Sequence, residues 1–99
     1  MKAPSIPADF EHAAELLRAL GNRHRVAIIT SLTNGPLCVH ELTEALGVEQ
    51  PLVSQHLKVL RSARLLTSER RGKEVVYSLA DDHVSHIVGD AISHAKELT

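Results

Sequence analysis

Along this chain, apolar residues recur at helical spacing through four successive stretches before the period changes. Phe10, Ala13, Ala14, Leu17 and Leu20 fall three and four apart, and Gly21 stands where a C-terminal cap belongs, which predicts a first helix. Asn22 can cap a second helix, whose apolar positions Val26, Ile29 and Leu32 run into the breaker Asn34-Gly35-Pro36. A short third helix passes through Leu42 and Leu46 and closes at Gly47. A fourth covers "EQPLVSQHLKVLRSA", residues 49–63, with Pro51 in the first turn, where its missing N–H is not needed. A short helix, a tight turn and a second helix make a helix-turn-helix.

After residue 64 the period changes. "LLTSER" and "EVVYSL" are strand-like runs rich in Val, Leu, Tyr and Thr, and the "RGK" between them supplies a turn glycine, so a β-hairpin is expected. A last helix runs from about Asp81 to Leu98. Residues 1–8 hold two prolines and no periodicity and read as a flexible arm. Residues 9–99 then form one winged helix-turn-helix domain, mainly α with a small β-hairpin, with no second domain, repeat or low-complexity tract.

A chain of 99 residues buries only a modest core and gains from a partner. The single cysteine, Cys38, excludes an internal disulfide, and no signal-like start or apolar run of membrane length is present, so a cytoplasmic protein with no membrane partner is expected. One Phe, one Tyr and no Trp leave the core to aliphatic residues, and oligomerisation is the expected help. The net charge is −1, but its distribution is uneven. Residues 49–73 carry six bases against two acids, a net of +4; residues 74–99 carry five acids against one base, a net of −4. One surface is suited to a polyanion and another to something cationic.

On the fourth helix Val53, Leu57 and Leu60, at i, i+4 and i+7, should face the core. Gln50, Ser54, Gln55 and Lys58 are then left near the opposite side, with Arg61 and Arg64 towards the end. Amide and hydroxyl groups near the start of such a helix can reach base edges in the major groove, while Lys and Arg neutralise phosphates. The hairpin tip, with Arg70, Arg71 and Lys73, can reach an adjacent phosphate or the minor groove. The plainer alternative is a solvated polar face and a charged turn. His56 flanks the buried stripe and reads as a packing residue.

The last helix, "ADDHVSHIVGDAISHAKEL", holds three histidines and four acids in nineteen residues. His83, Asp90, His94 and Glu97 fall within a fan of roughly 60°, with His86 at its margin, beside an apolar set of Val84, Ile87, Val88, Ala91, Ala95 and Leu98. His83 and His94 are about 16 Å apart along the axis and cannot share an ion within one chain. Asp81 with His83 can share one, and His94 with Glu97 another. If two such helices cross antiparallel about a two-fold axis, the first pair of one chain meets the second pair of the other, giving two equivalent four-ligand sites. Ordinary i, i+4 pairs, His86 with Asp90 and Asp90 with His94, are the blander alternative.

"ELTEALGVEQPLVSQHLKVLRSARLLTSERRGKEVVYSL" resembles the winged-helix core of the ArsR/SmtB family of metal-responsive repressors, with "VSQHLKVLRSARLL" as its recognition helix and "RRGKEVVYSL" as its wing. The spacing of Asp81, His83, His94 and Glu97 is similar to the site between the C-terminal helices of its zinc sensors. The resemblance implies a homodimer formed through the N- and C-terminal helices. It implies double-stranded operator DNA as partner, an imperfect inverted repeat, and Zn(II) as allosteric effector, two per dimer, whose binding releases the operator. It also implies a thiolate site at the start of the third helix. There "LCVHEL" keeps Cys38, but His40 replaces the second cysteine of the family's "CVC"; Glu41 adjoins them, and His12 is a further candidate donor. This departure speaks against arsenic, cadmium or lead sensing and for Cys38 as a buried or vestigial thiol. Imidazole and carboxylate without thiolate suit Zn(II), with Co(II) as its laboratory substitute; Ni(II) wants more ligands, which His86 or the N-terminal amine can supply. Two rivals remain. A metal-independent winged-helix regulator would use the last helix only to dimerise, whereas a metallohydrolase would need an open coordination position and a base in a cleft. No nucleophile constellation is present, and the chain is not expected to be an enzyme.

Overall fold

The computed structural model describes residues 5–99. The first four residues of the expected arm lie outside the described residues. Residues 5–7 carry no regular structure, and helix α1 (Ala8–Leu20) begins one residue ahead of the expected boundary. Then follow α2 (Arg23–Leu32), β1 (Leu37–Cys38), α3 (Val39–Leu46), α4 (Gln50–Ser62), β2 (Leu66–Arg71), β3 (Glu74–Leu79) and α5 (Asp82–Glu97).

Local chemistry sets most of these boundaries. The Asn22 side chain accepts from the backbone N–H groups of His24 and Arg25, at 2.9 and 3.3 Å, and so starts α2. Gly47 ends α3 in the left-handed region at φ 63°. Gly21 also stands at a helix end, but with φ −76°, so α1 stops without using glycine's freedom. That freedom is needed at the end of α4 instead. There Arg64 takes φ 64°, and the Leu65 N–H reaches back to the Leu60 carbonyl at 3.0 Å.

The sheet is three-stranded, order β1-β3-β2 and antiparallel throughout, rather than a lone hairpin. The strand that the sequence reading lacks is β1, whose two residues pair Leu37 with Tyr77 and Cys38 with Val76. In the hairpin Arg71 pairs with Glu74, leaving the two-residue loop Gly72-Lys73 with Gly72 at φ 63°.

The core is aliphatic, as expected: Ile28, Ile29, Leu42, Val53, Leu57 and Leu60 have no accessible surface. Two apolar stripes behave otherwise. On α1, Phe10 and Leu17 are 64% and 55% exposed, and the buried residues are Ala19 and Leu20. On α5, the expected single stripe divides: Val84 and Val88 are buried and Ile92 rests against the core, whereas Ile87 and Leu98 face outwards. Both terminal helices therefore keep an apolar surface that the protomer does not cover. Among the described residues, no helix is long and apolar enough to cross a membrane.

Candidate nucleic-acid interface and metal half-sites

Helix α4 turns Val53, Leu57 and Leu60 inwards. Its outward side carries Gln50, Gln55, Lys58 and Arg61, all exposed, with Ser54 half-buried. The Gln50 amide donates to the Ser54 hydroxyl at 3.2 Å, so the two share one face. Ser54, Lys58 and Arg61 line a cleft that Tyr77 of β3 closes on the other side. Tyr77 thus joins helix to wing, a role that its strand-like setting in the sequence does not announce. At the wing, Arg70, Arg71 and Lys73 are exposed, and Arg71 lies 3.5 Å from Glu69. The structure thus brings Gln50, Gln55, Lys58, Arg61, Arg70, Arg71 and Lys73 to α4 or to the hairpin beside it, whereas Arg64 lies in the turn between the two and lines a groove with His12 and Glu15 of α1.

At the start of α5 the Asp81 carboxylate accepts from the N–H groups of His83 and Val84, at 2.9 and 3.3 Å, and caps the helix. The same oxygen lies 3.5 Å from His83 Nδ1. At the other end His94 Nδ1 lies 3.7 Å from a Glu97 oxygen. All four side chains are more than half exposed. Among the described residues, Asp90 forms an ion pair with neither His86 nor His94, so the i, i+4 alternative does not arise. Nor does any group of three or more candidate donors gather among the described residues of the protomer. Two-donor pairs stand instead at opposite ends of one helix.

Cys38, His40 and Glu41 form no three-donor group among the described residues. The Cys38 thiol is buried, whereas His40 is exposed and turned to Glu44, 3.3 Å away. Glu41 accepts from the Cys38 backbone N–H at 3.0 Å. That bond, with further contributions from the Cys38 side chain and from His40, holds its carboxyl below the ordinary value. Glu41 is thus engaged in closing the start of α3.

His56 is 8% exposed, buried at the flank of the α4 stripe. Its Nδ1 accepts from Arg25 Nε at 3.2 Å, its ring lies 5.3 Å from that of His24, and its Nε2 has no partner among the described residues. Burial first, then the charges of Arg25 and His24, push its imidazole below the ordinary value. Arg25 and His24 carry no motif that would have drawn them into the sequence reading.

Residues 22–68 match the family described as "Bacterial regulatory protein, arsR family". The chain is 52% identical over 101 residues to the HTH-type transcriptional repressor SmtB of Mycobacterium tuberculosis, covering 97% of this chain and 75% of that protein. With the HTH-type transcriptional regulator NmtR of the same organism it shares 45% over 98 residues, 96% and 82% of the two chains. Among solved structures, the homodimeric winged helix-turn-helix DNA-binding domain Mb0332 of Mycobacterium bovis, described as a possible ArsR-family transcriptional regulator, superposes with TM-score 0.83. The two are 26% identical, with 98% of this chain and 92% of that one covered.

Proposed function

This chain belongs to the ArsR/SmtB family of winged-helix transcriptional regulators, and from that premise we propose that it is a repressor that senses Zn(II), binding operator DNA as a homodimer and leaving it when the metal binds between the C-terminal helices. A DNA-binding regulator of this family is not an enzyme. The observation that carries the finer reading is the pair of half-sites on α5: Asp81 with His83 at one end, His94 with Glu97 at the other, all exposed and beside the uncovered apolar residues Ile87 and Leu98.

The donor chemistry fits. Two imidazoles and two carboxylates make a closed tetrahedral set for Zn(II), with ligand bonds of about 2.0–2.2 Å. Neither half-site holds four donors, so a set made wholly of protein ligands requires a second protomer. An antiparallel two-fold arrangement of α5 brings Asp81 and His83 of one copy to His94 and Glu97 of the other. When bound, the ion supplies a crosslink between the two terminal helices. The protein's part is to make its two states differ: α4 must sit at one angle in the DNA-competent dimer and at another when the α5 helices are tied. The metal then weakens DNA binding by the factor by which DNA weakens metal binding. By analogy with the zinc sensors of this family, a metal-bound His94 would use its other ring nitrogen to contact backbone near Arg64, linking the site to the end of α4.

Gln50, Ser54 and Gln55 are the candidates for base contacts, and Lys58, Arg61, Arg70, Arg71 and Lys73 for phosphate contacts. An imperfect inverted repeat is the matching DNA for a two-fold dimer. The same donors also admit Co(II), and Ni(II) with His86 added. A titration of operator binding with zinc, cobalt, nickel and cadmium at fixed salt tests the reading. Release by zinc at the lowest free concentration supports it, whereas release by nickel alone reassigns the metal. Unchanged affinity with every ion leaves a metal-independent regulator.

A further inference from the structure

Behind the recognition helix lies a polar contact that neither the DNA-binding face nor the metal half-sites use. Arg25 of α2 donates in two directions: from Nε to His56 Nδ1 of α4 at 3.2 Å, and from Nη1 to the Ala19 carbonyl near the end of α1 at 2.9 Å. One guanidinium thus bridges α1, with its uncovered Phe10 and Leu17, and α4, with its candidate base readers.

We infer that His56 is a positioning residue: through Arg25 it fixes the recognition helix against the carboxyl end of α1, and it does so only while its ring is neutral. The inference rests on the DNA-binding reading above and deepens it. An arginine donates and never accepts, so the Nδ1 it meets must offer a lone pair and the ring proton must sit on Nε2. That Nε2 is buried with no partner among the described residues. A leucine would fill the site without leaving such a group, so packing alone does not account for the imidazole. Protonation would set an N–H against an N–H and a cation beside a guanidinium.

Among the described residues, the charged and titratable groups that act on the ring are Arg25 and His24, both from α2. From α1 it is the Ala19 carbonyl that enters the network; the ionisable His12 and Glu15 line, with Ala19, a groove against Val59 and Arg64. Burial and the two α2 groups hold the imidazole below its ordinary value, so the neutral acceptor persists near pH 7. Because the folded value lies below the unfolded one, the tie is intact above the ordinary imidazole range and is lost as pH falls through the folded value. His56 adjoins Gln55 and lies two residues from Ser54 and Lys58, so a change in its anchoring moves the side chains that meet DNA.

The test uses a duplex enriched from a random-sequence pool by the wild-type protein, with affinity read by fluorescence anisotropy from pH 8 down to about pH 5.5 at constant ionic strength. His56→Gln offers an amide oxygen to Arg25 and does not titrate. It is expected to keep neutral-pH affinity within about twofold while its acid-side loss is smaller than wild type's by about threefold or more. His56→Leu, which removes the acceptor, is expected to bind about tenfold more weakly at pH 7 with unchanged far-UV circular dichroism, and to lose less on random DNA. Wild-type affinity in His56→Leu, or an undiminished acid limb in His56→Gln, overturns the inference alone. Should the leucine variant fail to fold, the glutamine variant still decides by its acid limb. A wild-type protein that enriches no duplex overturns the DNA-binding reading and this inference with it.

Discussion

Under the proposed function, Asp81 serves two chemistries with one carboxylate. Its oxygen closes the first turn of α5 by accepting two backbone N–H groups, and it stands 3.5 Å from a ring nitrogen of His83. Capping needs a small acceptor, while a cation needs the charge, so substitution can separate the two. Asp81→Ser should keep metal-free stability within a few tenths of a kcal/mol, since serine caps about as well as aspartate, yet lower zinc affinity. Asp81→Ala should lose both, with about 1 kcal/mol of stability measured by urea denaturation. A second residue-scale prediction concerns Arg64, a side-chain-bearing residue at φ 64°. Left-handed backbone costs a non-glycine residue about 1 kcal/mol, so Arg64→Gly should raise the apo-protein's melting temperature. A lowered temperature would mean that the arginine side chain contributes more than its backbone costs.

Between elements, the proposed function divides DNA binding between α4 and the wing. Ser54→Ala or Gln55→Ala should cost about 1–3 kcal/mol on the cognate duplex and less on random DNA, because base edges carry the sequence information. Replacing Arg71 or Lys73 should weaken both duplexes alike and flatten the dependence on salt. Equal losses on both duplexes from the Ser54 or Gln55 change would move those residues to the phosphate class. The sequence made these elements legible because their signals are local: the Asn22 cap, Gly47 at the end of α3, Pro51 in the first turn of α4, Gly72 in the hairpin. What it hid depends on distant partners. The two residues of β1 are too short to show alternation, and they are strands only because β3 passes beside them. The α5 stripe divides because Val84, Val88 and Ile92, at successive intervals of four, are taken by the protomer's core, leaving Ile87 and Leu98 for another surface. The tie between Arg25 and His56 spans 31 residues of sequence and has no local signature. The proximity of Asp81 to His83 and of His94 to Glu97 could be read from spacing because the members of each pair sit within three residues of each other. No spacing could reveal Asp81 as a helix cap in the same atoms.

For the whole molecule, the question is whether the halves on α5 are completed across a dimer. Each proposed site takes Asp81 and His83 from one protomer and His94 and Glu97 from the other, so homodimers of His83→Ala, or of His94→Ala, lose both sites. A heterodimer of the two variants behaves differently: one of its sites lacks both histidines, while the other keeps all four ligands. Cobalt titration of the purified heterodimer, followed by the absorption of tetrahedral Co(II), is therefore the direct measurement. One tetrahedral ion per two chains with near wild-type affinity is expected; no recovered site in the heterodimer, or full stoichiometry in either single-variant homodimer, would contradict metal binding between the C-terminal helices.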